Sequence, residues 1–103
     1  MTVAESDWKV SKKLRVLALE RFSQRVLDEC QAICGKEQVT AHDRYGELYG
    51  LIRGRNREMA LAFDDFRRST ATLCLRLMVR HDLLTKEELS QFSSAVQRML
   101  DSE

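Results

Sequence analysis

Proline is absent from this 103-residue chain, and only four glycines are present. Because proline is the strongest helix breaker, its absence leaves long helices free to form. Long apolar runs are missing too: no segment approaches the roughly 20 consecutive apolar residues that a membrane-spanning helix needs. The sequence therefore predicts an all-α protein with no membrane association.

An excess of one charge is also missing, because 17 basic residues accompany 16 acidic ones and the formal net charge is +1. A nucleic-acid-binding domain is usually strongly basic, so the composition as a whole disfavours that function. The cysteines are odd in number and stand at helical spacing (Cys30, Cys34 and Cys74). This suits a reducing compartment better than a disulfide framework. Since the start of the chain also lacks the pattern of a secretory signal, we expect a cytoplasmic location.

Catalytic and metal-binding motifs are scarce. The two histidines, His42 and His81, would lie about 60 Å apart on a single straight helix, so they could not share a site. Cys30 and Cys34 stand one helical turn apart, but a second pair of ligands is missing, which a structural zinc site requires. We therefore predict no enzymatic activity, no cofactor and no metal ion.

Three helices are predicted in a single domain of residues 11–103, after a flexible N-terminal arm of residues 1–10. The predicted helices cover residues 11–34, 41–81 and 86–100. Gly35 is expected to end the first helix in a left-handed conformation. Thr40 and Thr85, each followed three residues later by an acid, resemble capping boxes at the starts of the other two helices.

The central helix is predicted from an apolar seam with alternating steps of three and four residues, which is the spacing of one helical face. The seam consists of Tyr45, Tyr49, Ile52, Met59, Phe63, Phe66, Leu73 and Leu77, interrupted by Asn56 and Thr70. Because its phase is unchanged across Gly54, the favoured fold is a bundle of three helices with one long central helix. The alternative is a compact four-helix bundle with a break near Gly54.

A long helix covered by two shorter ones would leave apolar surface exposed, which usually marks a contact between subunits. We therefore predict a homodimer. The predicted interface consists of Tyr45, Tyr49, Ile52, Asn56, Met59 and Phe63. A lone amide such as Asn56 in an apolar seam can set register and oligomeric state, although it would equally suit a helix cap after a break.

A second face of the same helix carries Gly46, Gly50 and Gly54 at four-residue intervals. This stripe is interpreted as a hinge or a shallow surface, with close packing as the alternative. Arginines lie beside it and form a candidate site for an anion or a partner: Arg53, Arg55, Arg57 and Arg68. Asp64 stands four residues before Arg68 and is expected to neutralise it.

These observations favour a small helical protein–protein interaction module or regulator that acts as a dimer. One alternative is an anion- or nucleic-acid-binding protein that uses the arginine cluster. A second is a small helical-bundle enzyme with an anionic substrate, which would require Arg53 and Arg57 to share an enclosed pocket with Arg21 or Arg25.

Overall fold

The structure, a computed structural model, describes residues 2–101, and in this range it contains no strand. The all-α class is confirmed, with 76% helix. The helices are α1 (Glu5–Cys34), α2 (Ala41–Met59), α3 (Ala71–Arg80), α4 (Lys86–Leu89) and α5 (Ser94–Asp101). A π-helical segment, Ala60–Asp64, continues directly from α2.

The N-terminal arm predicted for residues 1–10 is wrong over most of its length, because α1 begins at Glu5. Asp7 is buried, and its carboxylate accepts hydrogen bonds from the backbone N–H and the hydroxyl of Ser93, at 2.8 and 2.7 Å. Trp8 stacks on Phe66 with 5.1 Å between ring centroids. These long-range contacts hold the first turns of α1 in place. Met1, also part of the predicted arm, lies outside the described residues.

A single helix over residues 41–81 is not found, and the break does not lie near Gly54 either. The helix continues through Gly54 to Asp64, and a turn then separates it from α3. In this turn the Thr70 hydroxyl accepts a hydrogen bond from the Arg67 N–H and lies within hydrogen-bonding distance of the Asp65 carbonyl. Such side-chain bonds to nearby backbone compete with helix formation. Thr70, an interruption of the seam, therefore helps to build the break.

The other predicted helix ends are confirmed in part. Thr85 and Glu88 form a complete capping box at the start of α4, and the Thr40 hydroxyl caps α2 by accepting from the N–H of Asp43. The predicted helix 86–100 is divided into α4 and α5 by a turn. Gly35 ends α1 as expected, but with φ −87° it is not left-handed.

The apolar core lies towards one end of an elongated molecule of 52 × 24 × 24 Å. It joins the first two-thirds of α1 to the π-helical segment, α3, α5 and the loops around α4. We call this part the body. Its largest fully buried side chains include Leu14, Phe63, Leu75, Met78 and Leu83.

The remainder of α1, from about residue 23, pairs with α2 to form a helical hairpin that extends away from the body. No residue of α2 is buried, and Ile33 is the buried residue that α1 contributes near the tip. The hairpin is therefore a layer of two helices with little core of its own.

Candidate functional site

Most arginines of the body and of the hairpin tip are engaged within the chain. Several donate to backbone carbonyls at the ends of helices, where carbonyl groups lack helical partners. Arg15 binds the Phe63 carbonyl, Arg25 binds those of His81 and Asp82, and Arg44 binds that of Cys34. These side chains stabilise chain ends and turns, which explains much of the arginine content without invoking a nucleic-acid surface.

A second use of arginine is the ion pair between elements. Arg21 makes a bidentate pair with Glu88 at 2.7 and 2.8 Å and also donates to the Leu83 carbonyl. The Arg21 guanidinium, followed by the Thr85 backbone N–H, lowers the pKa of Glu88 to about 2. This pair connects the middle of α1 to the start of α4.

The predicted arginine cluster is separated by the fold into three environments. Arg55 points towards α1, where it pairs with Glu29, and it also pairs with Glu58 of its own helix. The hydrogen bond from Arg55 is the main cause that lowers the pKa of Glu29. Arg68 lies in the turn before α3 and pairs with Glu5 at 3.1 Å, so the expected pairing with Asp64 is wrong. Neither side chain is available as part of one anion site with Arg53 and Arg57.

Arg53 and Arg57 remain exposed on α2. The Arg53 guanidinium lies 5.6 Å from the ring centroid of Tyr49, while Arg57 has no ion pair within residues 2–101. Glu47 and Glu58, two other acidic residues of α2, are paired with Lys36 and Arg55 and not with Arg53 or Arg57. The two arginines therefore form a small positive patch on a convex helix.

A cavity of about 290 Å³ lies where the hairpin meets the body. Its lining includes Arg25, Arg55, Arg80 and His81, together with Glu29, Glu58 and Asp82. Arg53 and Arg57 do not line it. This cavity is therefore not the enclosed arginine pocket that the enzyme hypothesis required from these two residues, and its three acidic residues balance its three arginines.

The outstanding surface feature is an exposed apolar row on α2. Tyr45, Tyr49 and Ile52 are 69%, 58% and 40% exposed. Asn56, the next residue of the same row, is exposed as well. We call these four residues the exposed seam.

The neighbouring face of α1 extends the same side of the hairpin. Cys34 and Tyr45 line one shallow cavity together with Leu48, so the two helices meet there. Cys30 and Leu27 precede Cys34 by four and seven residues, and such spacing places them on one face of α1. Leu27 is 61% exposed. Within the described residues, this side of the hairpin therefore offers a continuous, mainly uncharged surface.

Two members of the predicted dimer interface do not belong to this surface. Phe63 is only 1% exposed and lies in the core of the body, and Met59 packs against that core. From Tyr45 to Met59 the seam is one face of the helix, as predicted, whereas Phe66, Leu73 and Leu77 lie beyond the end of that helix. The body covers the seam at Met59 and Phe63 and leaves its N-terminal part exposed.

The face of α2 that packs on α1 was missed by sequence reasoning. It is displaced from the seam by one residue and contains Arg44, Leu48, Leu51, Arg55 and Glu58, all partly buried. Three of these five side chains are charged, so an apolar pattern gives little signal there. Arg55 and Glu29 are 26 residues apart in sequence, and only the fold shows that they pair.

No known protein-family model matches this chain. No curated protein and no solved structure matches it either. Within residues 2–101, no helix combines the length and the apolar character needed to cross a bilayer. In the same range, no three His, Cys, Asp or Glu side chains are grouped so that they could hold a metal ion.

Proposed function

We propose that this chain is a small cytoplasmic interaction module or regulator that acts as a homodimer, with the exposed seam of the hairpin as its contact surface. One observation carries the proposal: the two tyrosines and Ile52 stand side by side in solvent on a helix that has no buried residue. Contiguous exposed apolar surface of this kind usually marks a contact with another protein.

The size of the surface supports a stable contact. An aromatic side chain has about 150–250 Å² of surface to bury, so the exposed parts of Tyr45 and Tyr49 supply roughly 250 Å² per copy. This is about a third of the roughly 800 Å² that each partner buries in an interface of standard size. Ile52 and Leu27 add to it. A second hairpin placed on this side would convert two exposed layers into a four-helix bundle.

Sedimentation equilibrium of the purified chain over a range of concentrations tests the proposal. The wild-type chain should be a dimer, and Tyr49→Glu should raise the dimer dissociation constant at least thirtyfold, or about 2 kcal/mol, because it places a carboxylate in the contact. Gly50→Glu is the matched control, since it adds the same charge one residue away on another face where a side chain meets open space.

A wild-type chain that stays monomeric at concentrations near 1 mM, where even weak contacts form, would contradict the proposal. The same holds if Tyr49→Glu and Gly50→Glu associate equally well. Circular dichroism of both variants checks that the helices are retained.

Anion or nucleic-acid binding is a second candidate, favoured by the exposure of Arg53 and Arg57 beside Tyr49. Arginines can contact phosphates while an exposed tyrosine stacks on a base. Fluorescence anisotropy with single-stranded DNA should then show binding that weakens with salt and is reduced by Arg53→Ala together with Arg57→Ala. Absence of binding at low salt would dispose of this candidate.

A further inference from the structure

Resting on the proposed dimer, we infer that its two hairpins pair in antiparallel orientation. The exposed seams then meet so that Tyr45 lies beside Asn56 of the partner subunit and Tyr49 lies beside Ile52 of the partner subunit. The occupant of the seam is thus a second copy of this chain, and the two-fold axis passes between residues 50 and 51 of α2.

The sizes of the seam side chains favour this orientation. The seam begins with two tyrosines and continues with the smaller Ile52 and Asn56. A parallel pair would place tyrosine beside tyrosine in two layers and the smaller residues beside each other in the next two. The distance between the two helix axes would then have to change along the contact. An antiparallel pair combines one tyrosine with one smaller residue in each of these layers, which allows uniform packing along the contact.

The polar groups of the seam favour it as well. A buried amide is costly unless it is hydrogen-bonded. In antiparallel orientation the Asn56 amide lies beside the Tyr45 hydroxyl of the partner subunit, which can donate or accept. This arrangement would satisfy both groups in one layer and would lose that bond if the register slipped by one turn.

The charges beside the seam point the same way. Arg53 and Arg57 stand in the second half of α2, and neither has an ion pair within the described range. A parallel pair brings the two arginine-bearing halves to the same level. An antiparallel pair instead places the two arginine-bearing halves at opposite ends of the contact, which reduces the repulsion between them.

Disulfide trapping distinguishes the orientations. Cys30 and Cys34 are first replaced by serine, and the buried Cys74 is retained because it is shielded from oxidants. In an antiparallel dimer, the two copies of position 45 are separated by eleven residues along the axis, or about 16 Å. A mixture of Tyr45→Cys and Asn56→Cys chains should therefore give at least tenfold more linked dimer than either variant alone.

Gly54→Cys is the control, since it lies near Asn56 in sequence on a different face and should not be trapped with either variant. His42→Cys provides a second measurement that leaves the exposed seam intact. Its two copies would lie about 25 Å apart in an antiparallel dimer and should not link, whereas in a parallel dimer they would be adjacent.

The outcomes separate this inference from the proposed function. A dimer in which Tyr45→Cys or His42→Cys links to itself is parallel, and it overturns the orientation while the dimer stands. A dimer that shows no trapping in the mixture uses another surface, and this also overturns the inference. A monomer in sedimentation removes both the inference and the proposed dimer.

Discussion

Gly46, Gly50 and Gly54 lie on α2 at positions where a side-chain β-carbon would have no atom within 4 Å. None of them has a positive φ, so the backbone at all three accommodates any residue. Close packing within the chain therefore does not require glycine at these positions. We predict that replacing them by alanine stabilises the hairpin.

The magnitude follows from the helical setting. Glycine in a helix interior is less favourable than alanine by about 0.8–1.0 kcal/mol, largely because of the backbone freedom lost on folding. No contact is lost or strained by the added methyl group, so each substitution should add nearly this amount. The triple variant should gain about 2–3 kcal/mol, and in a chain of this size 1 kcal/mol raises the Tm by about 4–8 °C.

Hydrogen exchange resolved along the chain is the most direct assay, because α2 has no buried residue and can open separately from the body. Amides of α2 should exchange about fivefold more slowly for each alanine, while those of α3 should change little. The Tm rises by the full amount only if the hairpin unfolds together with the body.

A loss of stability in Gly50→Ala or Gly54→Ala would refute this reasoning, since it would show that the backbone is approached closely at that position. The dissociation constant of the proposed dimer is a second check. Gly54 is on a different face from the exposed seam, so Gly54→Ala should leave this constant unchanged.

Three further predictions concern the body. Because Arg21 lowers the pKa of Glu88 to about 2, from 4.5, their pair stabilises the fold above about pH 4.5 and this stability is lost as the pH falls towards 2. With Arg21 38% exposed, we expect the pair to contribute roughly 2 kcal/mol to the difference in the free energy of unfolding between pH 7 and pH 2.5, measured by urea titration. An equal pH dependence of the free energy of unfolding in Glu88→Gln would contradict this assignment. Asp7→Ala should lower the free energy of unfolding by about 2–3 kcal/mol, because the N–H and hydroxyl of Ser93 lose their buried acceptor; an unchanged urea midpoint would show that the contact is dispensable. Phe63→Ala should lower the free energy of unfolding by about 3–5 kcal/mol in the same measurement, because it leaves a cavity in the core. A decrease below about 1 kcal/mol would place this ring outside the core.

The helical content and several helix boundaries could be predicted because their causes are local. Thr85 and Glu88 cap α4 through bonds between residues three apart, and Thr40 caps α2 in the same way. The break at residues 65–70 is local as well, but its signal was missed. Thr70 interrupts the apolar seam, and a threonine at such a position can bond to nearby backbone and compete with a helix.

The candidate site could be predicted only in part. Tyr45, Tyr49, Ile52 and Asn56 do share one exposed face, because helical periodicity depends on spacing alone. Phe63 has the same periodicity but lies in the core. Phe63 is buried and the other four are exposed because the body covers only the end of the helix. The residue pattern of the helix does not indicate where the body lies.

The sequence by itself determined the all-α class, the exposed face of α2 and the N-terminal caps at Thr40 and Thr85, since each depends on interactions between residues a few positions apart. The tertiary structure decided which face meets which helix. The Arg55 pair with Glu29 and the Asp7 bonds to Ser93 join residues 26 and 86 positions apart. Such contacts follow from the path of the whole chain, and they determine which arginines are engaged and which part of the seam remains exposed.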